Sequence, residues 1–273
     1  MIFIKVCRGG EYVIIWGIIG LMLVGGIILL IYMIREAFLN KVEEHELTFP
    51  DFPESFGKVT IFFISDIHRR VVSDLIIQKI KGKADFVIIG GDLTEKGVSF
   101  SQVKENLAKL KQIGPVYFVW GNNDYEVDFR KLDATFLDLG IKVLDNTAVT
   151  FESTKGDKIS LLGVDDCGQE RDRLDFALMD AEENSFKILA SHFPEITDKI
   201  LPEHNIRLVL SGHTHGGQIH ILGYSPFEKG RIQKLENTIL LISNGYGTTT
   251  VPLRLGAPAE THLITLKRGQ QRS

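Results

Sequence analysis

The succession of apolar and polar positions divides the chain into three unequal parts. Residues 12–34 (YVIIWGIIGLMLVGGIILLIYMI) carry no charge and no polar stripe, and they are long enough to cross a hydrocarbon core of about 30 Å as one helix. Trp16 and Tyr32 stand near the two ends, where interfacial aromatics sit. The run is longer than the ~7–15 residues of a signal-peptide core, and no small-x-small cleavage site precedes Arg35. Residues 1–35 are therefore expected to be an uncleaved N-terminal transmembrane anchor. Residues 36–57 (EAFLNKVEEHELTFPDFPESFG) are acidic, hold two prolines and lack sustained periodicity, and they are expected to be a linker.

From Lys58 onward, short apolar runs alternate with helical stretches. VTIFFIS (59–65), FVIIGG (86–91) and PVYFVWG (115–121) read as buried strands, and amphipathic stretches come after them at 73–80, 101–112 and 128–140. This βαβα rhythm predicts an α/β sheet. After Lys142 strand succeeds strand: KVLD, TAVTFES and KISLLGV, then a helix over 171–183, then FKILAS, RLVLSG, QIHIL, NTILLIS and ETHLITL. A second, largely antiparallel sheet is implied. Residues 58–273 are expected to form one domain with a sizeable core.

Charge adds little. The net charge is −4 and no lysine/arginine block stands out, so no nucleic-acid surface is expected. Lys5 and Arg8 precede the apolar span, and Arg35 and Lys41 come after it. This near balance is read as N-terminus inside: a single-pass protein of the cell membrane with the bulk of the chain extracytoplasmic. Cys7 and Cys167 are the only cysteines. On that reading they lie on opposite sides, so no internal disulfide is expected, and Cys7 is read as an idle thiol rather than an acylated one.

The chemistry lies in the residues just beyond each strand. In order these are Asp66-Ile67-His68, Gly91-Asp92, Gly121-Asn122-Asn123-Asp124, Ser191-His192 and Gly212-His213-Thr214-His215. Singly, each is ordinary turn or cap chemistry. Five strands in turn delivering Asp, His or Asn at their carboxyl ends, where open α/β sheets place ligands, point to a metal centre. Imidazoles mixed with carboxylates suit Mn, Fe or Zn better than Mg or Ca. Two such cations ~3.5–4 Å apart need a shared ligand, which a strand-end aspartate can supply.

In this order the motifs D-x-H, G-D, G-N-x-D, x-H and G-H-x-H resemble those of calcineurin-like metallophosphoesterases over residues 59–215. GHTHGGQI and the later NGYGTTTVPLRLGAPAETHLITL are similar to a membrane-associated bacterial phosphodiesterase-like subgroup and extend the resemblance to about residue 267. The resemblance implies a four-layer α/β/β/α sandwich and two divalent metal ions. Asp66, His68 and His215 would hold one ion, Asn122, His192 and His213 the other, and Asp92 would bridge. A hydroxide between the metals would attack phosphorus. One position departs: relatives usually carry histidine after the ligand asparagine, held by the next aspartate, where it meets the phosphate. Here the catalytic candidates at those places are Asn123 and Asp124, and an asparagine cannot donate a catalytic proton at pH 7.

Arg69, Arg70 and Arg254 are candidates to touch a substrate phosphate, weighed against being solvated surface charges. His45, His204, His220 and His262 match no motif and are read as surface or sheet histidines. The expected function is a membrane-anchored phosphodiesterase acting on a phosphate ester, with a lipid headgroup or an envelope polymer as candidate substrates. A phosphomonoesterase and a non-catalytic metal-binding module are the competing readings, and the complete ligand set weighs against the latter.

Overall fold

The computed structural model describes residues 4–270. The readings of Lys5, Cys7 and Arg8 fall on side chains outside the described residues. Helix α1 (Ile4–Ala37) contains a stretch, Tyr12–Ala37, with mean hydropathy 2.8 and none of its most apolar window buried against protein. By length and composition it can cross a membrane.

The rest of the chain runs β1 (Lys41–Phe49), β2 (Lys58–Ile64), α2 (Asp74–Ile80), β3 (Phe86–Gly90), α3 (Phe100–Leu110), β4 (Val116–Val119), α4 (Phe129–Leu139) and β5 (Lys142–Val143). It continues with β6 (Thr147–Glu152), β7 (Lys158–Gly163), α5 (Leu174–Asp180), β8 (Phe186–Ala190), β9 (Ile206–Ser211), β10 (Arg231–Lys234), β11 (Ile239–Ile242) and β12 (Glu260–Arg268). One sheet has the order β1-β12-β2-β3-β4-β5 and the other β10-β11-β9-β8-β7-β6.

The strands are apolar on both faces because both faces are covered. Along β2, Ile61 and Phe63 point into the layer between the sheets, where they meet Leu161, Ile188 and Leu210 of the second sheet. Phe62 and Ile64 point the other way, onto Ile76 of α2, Leu107 of α3 and Phe136 of α4. The outer face of the second sheet packs Leu162, Leu189 and Val209 against Leu174 and Ala177 of α5. Helix, sheet, sheet and helix thus form four layers. Ser73, Ser99 and Asp128 cap α2, α3 and α4 by accepting from Leu75, Gln102 and Lys131 amides.

Several sequence expectations are corrected. The second sheet is not largely antiparallel: β7, β8, β9 and β11 run parallel, and only the outer pairs β6/β7 and β10/β11 are antiparallel. The crossover from β8 to β9 is made by short 3-10 turns at Pro194–Lys199 and Pro202–His204, which leave no helical periodicity to read. ETHLITL joins the first sheet, antiparallel to β2. QIHIL forms only isolated bridges, Ile219 to Leu255 and Gly256 and Ile221 to Tyr224. The stretch read as a linker supplies β1, paired in parallel with β12 from Lys41↔Glu260 to Phe49↔Arg268. Its polar residues face solvent along an edge strand, and this masks the strand signal.

The end of α1 is bonded to the domain. The carbonyls of Met33 and Glu36 accept from the amides of Arg254 and Ala259, both at 3.1 Å. The Arg70 guanidinium donates to the carbonyls of Ala37, Phe38 and Leu39 and to Asn40 Oδ1, at 2.8 to 3.3 Å, and stacks 3.7 Å from the Tyr246 ring centroid. The last carbonyls of a helix have no partner inside it, and here the domain supplies several.

Phe49 and Phe52, on and just after β1, are buried, and each meets Phe186 edge-on at 5.1 Å. Losing such a ring costs about 3–5 kcal/mol. A chain beginning at Lys41 is therefore expected to fold without helix α1, whereas one beginning at Lys58 should aggregate. Size-exclusion chromatography and circular dichroism of the two truncations check this.

Candidate metal centre

Strands β2, β3 and β4 of one sheet are parallel neighbours, as are β8 and β9 of the other, so the loops at their carboxyl ends gather at one rim. Backbone bonds stitch the loops together: Asp66 N to Gly91 O at 3.0 Å, His68 N to Asp92 O at 3.1 Å, and Gly212 N to His192 O at 3.1 Å. His213 N reaches from the second sheet to the Asp66 carboxylate at 3.2 Å.

The backbone is strained where the donors sit. Asp66, His68, Asp92, His213 and His215 have φ of 54°, 50°, 50°, 68° and 50°, in the left-handed region that non-glycine residues avoid. Each such residue costs of order 1–3 kcal/mol and persists only where the surroundings enforce it. Two glycines permit the crowding. A Cβ on Gly121 would collide with the Asp92 carboxylate, and one on Gly212 with that of Asp66.

The donors converge. His68 Nε2 is 3.1 Å from His215 Nε2, which is 3.4 Å from Asp66 Oδ1. His192 Nε2 is 3.3 Å from His213 Nδ1 and 3.3 Å from Asp92 Oδ2. Atoms bound to one ion at about 2.0–2.2 Å lie roughly 3–3.5 Å apart, so this spacing suits shared cations. Two triads, Asp66-His68-His215 and Asp66-Asp92-His192, each hold donor atoms within 4.8 Å of one another. Asp66 belongs to both triads, whereas the sequence pattern singles out Asp92 as the shared ligand. Asp92 also reaches both sides, because its Oδ2 lies 3.7 Å from His68 Nε2 and 3.3 Å from His192 Nε2. Asn122 completes the set: its Nδ2 donates to Asn123 Oδ1 at 2.8 Å, and its Oδ1 is buried without a hydrogen-bond partner. An orphaned buried carbonyl oxygen beside these donors fits a metal ligand.

Electrostatics agree with this. Burial brings His215 down to about 4, so it is a neutral imidazole at neutral pH, the state a metal requires. Burial opposes the charge on Asp92, but His192 and His68 outweigh it and hold the carboxyl below the usual range. Burial likewise opposes the proton on His192, yet Asp92 outweighs it and lifts that group to about 10. A cation binding here displaces this proton.

The other candidates separate. Asn123 borders the cleft, and its amide donates to Asp92 Oδ1 at 2.8 Å. Asp124 is wholly buried and accepts from the amides of Asp92 (2.8 Å), Thr94 (3.0 Å) and Gly121 (3.0 Å). It clamps two loops and does not border the cleft beside Asn123. Arg69 is 72% exposed and pairs with Glu95. Arg70 is spent on the helix end and on the Tyr246 carbonyl. Arg254 is fully buried and donates to the carbonyls of His215, Asn244, Gly247 and Ala257, so it is neither a surface charge nor a phosphate contact. His45 and His262 are sheet histidines, with His45 Nε2 3.1 Å from His262 Nδ1.

Sequence reasoning missed the residues behind the donors. Glu95 Oε2 lies 3.0 Å from His68 Nδ1, and the Gly90 carbonyl lies 2.8 Å from His192 Nδ1. His220 Nε2 is 2.7 Å from the Gly216 carbonyl. Glu95 comes three residues after Asp92, a spacing that could have flagged it. A backbone carbonyl leaves no signal in a sequence.

Residues 59–217 match the profile of calcineurin-like phosphoesterases. The chain belongs to that family. The uncharacterized Bacillus subtilis protein YpbG is 46% identical over 231 residues, covering 83% of this chain and 88% of its own. A zebrafish (Danio rerio) transmembrane protein with a metallophosphoesterase domain is 30% identical over 259 residues, 86% of this chain. The chain spans only 59% of that relative. The Escherichia coli phosphodiesterase YaeI is 29% identical over 188 residues, covering 65% of this chain and 67% of that protein. Family membership makes the chain a metal-dependent phosphoric ester hydrolase in kind, and its Asp/His clusters are of the sort that holds divalent ions.

Asp92→Asn removes the carboxylate whose Oδ2 meets histidines of both triads. Bound manganese per chain, measured by elemental analysis after gel filtration, is expected to fall below the wild-type value. The site of Asp66, His68 and His215, which keeps all three of its donors, should retain the larger share.

Proposed function

We propose that this calcineurin-like phosphoesterase is a membrane-anchored phosphodiesterase with two divalent ions drawn from Mn, Fe or Zn. Asp66, His68 and His215 hold one ion, Asn122, His192 and His213 the other, and Asp92 bridges. When bound, such a pair supplies Lewis acidity at the phosphoryl oxygens and makes water ionise near neutral pH.

One observation carries the diester reading. The cleft beside the donors, about 430 Å³, is bordered by Asn122, Asn123, Thr214, Gln218, Thr249 and Thr250 together with small and apolar residues. Among the described residues, its titratable side chains are the donors Asp92, His213 and His215. Among the described residues, no lysine, arginine or further histidine borders it to offset the second charge of a monoester dianion or to protonate a leaving oxygen. Proton transfer to a leaving group is worth ~10²–10⁴-fold, most for basic leaving groups. A diester has a single negative charge and needs this help less. The phosphodiesterase named among the relatives supports the same reading.

With manganese present, an aryl diester should turn over faster than the matching aryl monoester, and Asn123→His should move the ratio towards the monoester. A wild-type preference for the monoester that Asn123→His leaves unmoved would overturn the reading.

The domain is further proposed to lie outside the cytoplasm, on the charge pattern around the span. Protease added to intact cells should then digest it. Full protection until lysis would reverse the orientation.

A further inference from the structure

Three segments meet at the end of helix α1. The Arg254 amide bonds the Met33 carbonyl at 3.1 Å, within the apolar span. Next to it, Leu255 N donates to Gln218 O and His220 N donates to Leu255 O, both at 2.8 Å. Gln218 Nε2 in turn bonds the carbonyls of Thr249 at 3.1 Å and Val251 at 3.2 Å. The helix end, segment 249–256 and loop 216–227 therefore form one hydrogen-bonded patch.

That patch has two sides. On one, Gln218, Phe227, Thr249 and Thr250 wall the cleft that holds Asp92 and His213. On the other, it offers apolar side chains to its surroundings: Ile221, Leu222, Tyr224, Phe227 and Val251 are all exposed, Leu222 completely so. Leu222 is also left-handed, at φ 53°, a conformation in which asparagine, aspartate or glycine is the ordinary choice. Neither packing nor backbone geometry accounts for a leucine there. A single exposed apolar residue means little, but five clustered beside a membrane-length helix and a catalytic cleft mark an interaction surface.

We propose that this patch dips into the bilayer interface, that the metal cleft opens there, and that the substrate is a phosphate diester carried on a lipid. The inference rests on the phosphodiesterase reading and names its substrate class. The occupant is a membrane rather than a protein because the patch continues a helix whose composition suits hydrocarbon. Its contact with Met33 sets it at the depth where that span ends, and Tyr224 has the apolar body and polar tip suited to that layer. In the reaction, water adds its oxygen to phosphorus and its proton to the departing alcohol. The product that keeps the acyl chains stays in the bilayer.

The test uses the full chain in phosphatidylcholine vesicles with manganese and two diesters sharing a nitrophenyl leaving group. One is the nitrophenyl ester of a phosphatidic acid within the bilayer, and the other is soluble methyl nitrophenyl phosphate. Wild type should favour the lipid-borne ester at least about tenfold, and the double variant Ile221→Asp with Leu222→Asp should remove about that factor. Turnover of the soluble ester should stay within about twofold, since neither residue borders the cleft and aspartate tolerates the left-handed backbone. Equal effects on the two esters, or a wild-type preference for the soluble one, would overturn the proposal. If neither ester is hydrolysed, the diesterase reading fails, and the membrane contact is decided separately. In a Trp16→Phe background, the emission that Leu222→Trp adds to that of buried Trp120 should be quenched by brominated lipids, and added emission that stays unquenched would overturn the contact.

Discussion

Two carboxylates and four imidazoles are crowded into one largely dry rim, where burial opposes their charged forms and only opposite charges close by offset it. Asp66, Asp92, His68 and His192 are almost completely buried, and opposing nitrogens approach to 3.1 and 3.3 Å. Much of the local structure exists to hold this arrangement. Five donors occupy the left-handed region, two glycines yield space to carboxylates, and Asp124 accepts three amides to fix the loops that carry Asp92 and Asn122. Strain of this kind is concentrated at a functional rim and is sustained by the two sheets behind it.

Arginines elsewhere in the domain serve architecture. Arg254 is buried, and burial brings it only to about 10, so it stays a cation whose donors face backbone carbonyls. Arg70 does the same for the helix exit. Both positions sit close in sequence or space to donor residues, which makes them look like phosphate contacts when side chains are read as a string. A guanidinium has five N–H groups and several carbonyls at loop junctions can occupy all of them. Among the described residues, no lysine or arginine borders the cleft.

Much of this was legible in the sequence, because the βαβα rhythm and the strand-end donors obey local rules. The strands that end in Asp66, Asp92, Asn122, His192 and His213 all lie where the apolar runs place them. What escaped was non-local. The direction of β9 depends on 3-10 turns without periodicity, and the partner of β12 lies at the far end of the domain. β1 reads as a linker because an edge strand needs only one covered face, and Glu43, Glu44 and Glu46 occupy the uncovered side or its margin. The supports of the donors, Glu95 and the Gly90 carbonyl, are defined by contacts across loops, which spacing alone does not encode.

The pairing of β1 with β12 has a consequence for biosynthesis. The strand next to helix α1 finds its partner only when the chain has been made through Arg268, and β12 is also the neighbour of the strand leading to Asp66. Pairings this distant form late, after most of the loop-closure entropy has been overcome. The ribosome must therefore reach Arg268 before the first sheet can close, with helix α1 already made. Until then the β2 edge beside the Asp66 loop stands unpaired, so the rim of donors becomes rigid among the last events of folding.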